Sequence, residues 1–328
     1  MKFGRLPVTE AEGAILAHSV KYRDINLKKG TVISAQHILS LSRAGCDSVV
    51  TARLEATDLD ENETARRISG LVAGDNVSAR RPANGRSDIQ ADRTGLLVYD
   101  IDRLDSVNST DESITLAVLP LHSVVKPGQA VATVKIIPYG VDRTSVTRIE
   151  KMHAGLPPLI RVNTFNRLEI GFIQTSYPGM KKSILDKTRG VLDDRLQHLD
   201  NRVSSETRCE HEEGAIAEAL GKLLRAGCDM ILIAGASATA DRRDVVPVAI
   251  EAAGGRITHL GMPVEPGNLL ALGESSAGHP VICMPGCARS PAVNGFDWVL
   301  ERLLAGISVT REDIMRMGAG GYIKGSSL

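Results

Sequence analysis

Aromatic residues are scarce in this chain of 328: four Phe, five Tyr and one Trp make up 3%. So few rings leave little stacking surface for single-stranded nucleic acid. Net charge is also missing, because 39 basic residues cancel 39 acidic ones. Proteins that coat nucleic acid carry a basic excess, so no nucleic-acid partner is expected. Cysteine is sparse and odd in number, and Cys46, Cys209, Cys228, Cys283 and Cys287 contain no CxxC pair. That spacing argues against a zinc or iron–sulfur site and for reduced thiols in a cytoplasmic protein. No run approaches the ~20 apolar residues that span a bilayer, so no membrane partner is expected. The opening Met1-Lys-Phe-Gly-Arg-Leu-Pro7 lacks the apolar core of a secretion signal.

What is present suits a globular fold. Hydrophobic residues are 43% and charged residues 24%, enough for sizeable cores. The length favours two domains. Short β-like runs broken by turns fill the first part of the chain. Ser34 opens a helix that Gly45 closes, and strands are expected at 48–50, 114–119 and 131–137. The Arg-rich stretch up to Gly95 reads as a helix followed by loop, and residues 140–151 as a linker or connecting helix. From Ile170 onward, apolar strands at 170–175, 230–234, 256–260, 269–272 and 281–284 alternate with helices. This alternation predicts an α/β fold with a doubly wound, mostly parallel sheet behind a β-rich α+β N-terminal domain. The expected divisions are 1–145, 146–310 and a C-terminal tail at 311–328.

Ligands of such sheets sit beyond the carboxyl ends of the strands. Three loops there are unusual in composition. The first holds Gly235, Ala236, Ser237, Ala238, Thr239, Asp241, Arg242, Arg243 and Asp244. Its small residues allow close backbone approach, and the helix that follows presents unpaired N–H groups to an anion. The structural alternative makes Asp244 an ordinary N-cap, worth about 1 kcal/mol. The second loop carries Pro266, Gly267 and Asn268, and the third Pro285, Gly286, Cys287, Arg289 and Ser290. Either of these alone reads equally well as a rigid turn, whereas three in order after three strands argue for a site.

The motif Arg242-Arg-Asp-Val-Val-Pro247 resembles the Arg-Arg-Asp-Val-x-Pro pattern of molybdopterin adenylyltransferases. Gly261–Gly273 resembles the Pro-Gly loop of molybdopterin molybdotransferases, and Gly278-His-Pro-Val-Ile-Cys-Met-Pro-Gly286 resembles a third motif of the same family. Residues 170–306 are therefore similar to the pterin-binding domain of molybdenum-cofactor biosynthesis proteins. Residues 5–57, with Lys29-Gly-Thr-Val-Ile-Ser-Ala35, are similar to the molybdotransferase N-terminal domain.

The resemblance implies a role in molybdenum-cofactor biosynthesis, with molybdopterin or the molybdenum cofactor as ligand. Thr175, Ser176 and the three loops would bind it. Asp244 and Glu212 would be the catalytic acids, with Asp244 holding Mg²⁺ for a transferase step. A cytidylyltransferase or molybdoenzyme partner and a homo-oligomer are further implications. Several positions depart from the family pattern. Glu265 and Asn268 replace loop lysines, Cys287 replaces an asparagine, Ala236 replaces a glycine, and Thr175-Ser-Tyr-Pro-Gly179 lacks the usual acidic pair. Two other classes stay open. One is a non-catalytic cofactor-docking scaffold. The other is a small-nucleotide hydrolase or deamidase related to pyridine-nucleotide salvage proteins.

Overall fold

The computed structural model describes residues 1–323. The chain forms two compact units, Met1–Asn163 and Thr164–Leu328.

In the first unit, Ser34 caps the helix Ala35–Ala44 through a capping box with His37. Gly45 closes that helix at φ 81°, the left-handed geometry that suits glycine. The helix packs over a three-stranded antiparallel sheet in the order Lys2–Pro7, Ser48–Arg53, Ile15–Leu16. A larger core, with Ile68, Ile89, Ile114, Ile136 and Ile149 fully buried, lies under the remaining strands of the unit. The segment 140–151 is not a loose linker: Arg143–His153 is a helix whose Val146 and Ile149 enter this core.

The Arg-rich stretch likewise differs from the loop expected of it. It holds the strands Val77–Ala79 and Arg86–Ala91, paired antiparallel. In the second strand Ser87, Ile89 and Ala91 point inward and Arg86 outward, a period-2 pattern that the surface arginines disguise.

The second unit is built on one six-stranded sheet. Its order is Val203–Glu210, Ile170–Ser176, Met230–Ala234, Pro280–Cys283, Ala271–Glu274, Arg256–Leu260. The first four strands run parallel and the Ala271 strand runs against its neighbours on either side, so the sheet is mixed. Alternating residues feed two cores. Ile170, Phe172, Met230, Leu232 and Ile282 pack with Leu192, Leu196, Phe296 and Leu300 of the helices Lys182–His198 and Gly295–Leu304. Ile173, Ile231, Ile233 and Val281 pack with Ile216, Leu220 and Ile250 of the helices Glu213–Arg225 and Val245–Ala252. Burying each such side chain contributes about 1.5–3 kcal/mol, which makes the sheet the rigid part of the unit.

The C-terminal stretch is integrated into the unit through the helix Arg311–Arg316, whose Ile314 is fully buried in the first of these cores. Beyond it, Glu265 N–H donates to Gly321 O at 2.8 Å and Ile323 N–H to Glu265 O at 3.0 Å. Residues 324–328 of the expected tail lie outside the described residues.

Candidate functional site

The carboxyl ends of the parallel strands collect all three loops at one edge of the sheet. The Ala271 strand runs in reverse, so the turn between it and the Arg256–Leu260 strand opens at this same edge. Direct contacts tie the loops together. Arg289 Nη2 donates to Gly235 O across the first and third loops, at 2.5 Å. Gly295 N–H, just past the third loop, donates to Pro266 O of the second at 2.9 Å. Gly267 lies against that backbone with φ 140°, and a Cβ there would come 2.7 Å from Gly295 N.

The first loop is held at both ends. At its start, Ala236 N–H donates to the hydroxyl of the buried Thr175 at 2.7 Å. At its end, Asp244 accepts from Val245 N–H at 2.8 Å and from Ala240 N–H at 3.1 Å. Asp244 is thus the N-cap of the Val245–Ala252 helix and the clasp of its own loop. Between these anchors the N–H groups of Ser237, Ala238, Thr239, Asp241 and Arg242 have no acceptor among the described residues. Gly286 and Cys287 at the start of the third loop add two more free N–H groups. Thr239 is buried, and its hydroxyl has no partner among the described residues. A concentration of free amides of this kind is chemistry suited to an anion.

Three arginines were candidates for counter-charge, and they have separate fates. Arg242 turns away and donates to Ile257 O at 3.0 Å. Arg243 is neutralised by Asp241, whose carboxyl its guanidinium holds down to about 2. Arg289 is half-buried, has no carboxylate partner among the described residues, and is held below the usual arginine range by burial alone. A partly desolvated cation without a counter-ion is costly unless an anion joins it.

Asp244 and Glu212 do not form a pair of acids in the structure. Glu212 is exposed and precedes the Glu213–Arg225 helix without capping it. No group of three or more His, Cys, Asp or Glu side chains comes together among the described residues, and both Asp244 oxygens already accept backbone N–H groups. These residues do not build a Mg²⁺ centre. Cys287 lies in the third loop with its thiol pushed up by burial, and Ser290 is exposed beside it. Asn268 is exposed and donates only weakly to Met262 O, at 3.4 Å.

His211 is the residue that sequence reasoning missed. It follows the Val203–Glu210 strand, is 8% exposed, and pairs through Nδ1 with Thr175 Oγ1 at 2.8 Å. Its ring lies edge-on to Tyr177, with centroids 5.1 Å apart. The signal was its place beside Glu212, at the end of a strand too polar to be recognised as one.

Comparison with known proteins bears out the resemblance read from the motifs. Residues 171–306 match the family model described as a probable molybdopterin binding domain. Residues 5–53 match a second model, described as a domain of unknown function, DUF8806. No curated protein matches. Among solved structures, a molybdenum cofactor biosynthesis protein from Pyrococcus furiosus aligns at 13% identity over 94% of this chain, with a TM-score of 0.25. That score is too low to carry a structural argument, and the chain spans 66% of that protein's length. No helix among the described residues is long and apolar enough to cross a membrane.

Proposed function

We propose that the second unit binds molybdopterin, or the molybdenum cofactor built on it, through its terminal phosphate during molybdenum-cofactor assembly. One observation carries the reading. The free amides of residues 237–239 lie in a loop whose first carbonyl is held by Arg289, a half-buried guanidinium with no carboxylate of its own. A phosphate seated there would satisfy both, and charge-assisted hydrogen bonds to arginine are the stronger class.

Among the roles open to such a domain, binding and presentation fit these residues better than transfer chemistry. The carboxylate that would have to act, Asp244, is committed to two backbone N–H groups, and Glu212 stands apart from it. The ligand would be held by its anionic end and delivered to a cytidylyltransferase or a molybdoenzyme, with the protein working as a cytoplasmic homo-oligomer.

The test is a titration of the purified chain with molybdopterin. Micromolar binding is expected, weakened about tenfold or more by Arg289→Ala, as for loss of a hydrogen bond to a charged group. An absence of binding by the wild-type protein at that concentration removes the proposal. Turnover of molybdopterin to an adenylylated or metal-loaded product would restore the transferase reading.

A further inference from the structure

Thr175 and His211 settle each other's protons. The Thr175 hydroxyl is fully buried and already accepts from Ala236 N–H, so its own proton needs an acceptor. His211 Nδ1 at 2.8 Å is the one available. Nδ1 must therefore be the bare nitrogen of the ring, which places the imidazole proton on Nε2. Burial holds His211 below its usual range, with Asp244 pulling the other way, and the ring is neutral near pH 7.

The Nε2 proton has no protein acceptor among the described residues, and Nε2 is absent from the buried unpaired atoms, so it keeps access to solvent. The ring borders the first loop, with Cε1 3.7 Å from where a Cβ on Gly235 would stand. A side chain more than nine-tenths buried thus keeps one unused donor next to the free amides of residues 237–239.

We infer that His211 is a ligand-contacting residue, locked by Thr175 in the Nε2–H form and donating that proton to an oxygen of the anion seated on the 237–239 loop. The inference rests on the anion-binding reading of the site. It gives the site an uncharged donor in addition to the Arg289 cation. Thr175 is the positioning residue: it touches the loop and the ring, and acts on the anion through them.

The test uses the full chain and inorganic phosphate as the probe. Ring ¹⁵N shifts of His211 at neutral pH are expected to report the Nε2–H tautomer, with the Nε2 resonance moving as phosphate is added. Thr175→Val is expected to abolish the tautomer preference, a signature that a purely structural role would leave untouched. His211→Phe should weaken phosphate binding about tenfold, while His211→Gln, whose amide places an N–H near the same point, should stay within about threefold. An Nδ1–H tautomer in the wild type, or phosphate binding by His211→Phe equal to wild type, overturns the inference. If Arg289→Ala weakens phosphate binding and His211→Phe does not, only the histidine role falls. If neither does, the anion site falls with it.

Discussion

Arg195 and Asp297 form a buried ion pair at 2.7 Å, joining the Lys182–His198 helix to the Gly295–Leu304 helix. The remaining guanidinium nitrogens of Arg195 donate to Ala288 O, Ser290 O and Ala292 O. One side chain therefore shapes the third loop of the site from below. Arg195→Met, which leaves Asp297 unpaired, is expected to cost about 3–5 kcal/mol in denaturant unfolding, the range for breaking a buried pair. It should also weaken ligand binding, because Arg289 lies in the loop that is released.

One turn along that helix, burial and then the Asp297 carboxylate push Glu301 up to about 8, against the opposing pull of Arg302. A carboxyl whose folded pKa is raised favours the folded state while it is protonated. Its contribution is complete below the ordinary value of 4.5 and is lost as pH climbs through about 8. Glu301→Gln, which cannot ionise, is expected to match wild-type stability near pH 5 and exceed it at pH 9. Thermal melts across that range would check the crossing slopes.

Asp244 offers a way to tell a clasp from a catalyst. Asp244→Ala removes the N-cap and frees Ala240 N–H, an expected loss of about 1–2 kcal/mol. Asp244→Asn keeps one acceptor oxygen and should recover about half of that. Phosphate affinity should follow stability across the series. An affinity collapse in a fully stable Asn variant would mean that the carboxylate itself meets the ligand.

Gly267→Ala tests how tightly the second loop is fitted. The new Cβ would meet the backbone of Gly295 at 2.7 Å to N and 2.9 Å to Cα, and φ 140° is a geometry that side chains rarely adopt. Backbone atoms cannot rotate away as a side chain can. The variant is expected to melt several degrees below wild type and to lose ligand affinity, both readable in one thermal-shift titration with and without ligand.

The apolar strands and helices of the second unit were legible because their periods are strong, as in Met230–Ala234, buried at every position. Ser34 and Gly45 announced their helix by cap chemistry alone. The Val203–Glu210 strand was not legible. It forms one edge of the sheet with Val203 its only buried residue, so neither continuous apolarity nor clean alternation marks it. His211 went unseen for the same reason, since it gains meaning only once that strand ends beside Thr175. The three loops were visible by composition. Which of their arginines keeps an unspent charge depended on Asp241 and Ile257 lying within reach of Arg243 and Arg242, a matter of folded geometry.

The reversed strand Ala271–Glu274 has an evolutionary corollary. Because it returns directly from Arg256–Leu260, the connection between them is a hairpin tip, and no crossover helix fixes its length. Insertions or deletions there leave every other strand where it was. Selectivity on that flank is free to drift between relatives while the amide-bearing loop opposite, clamped by Thr175, Arg289 and Asp244, stays constant.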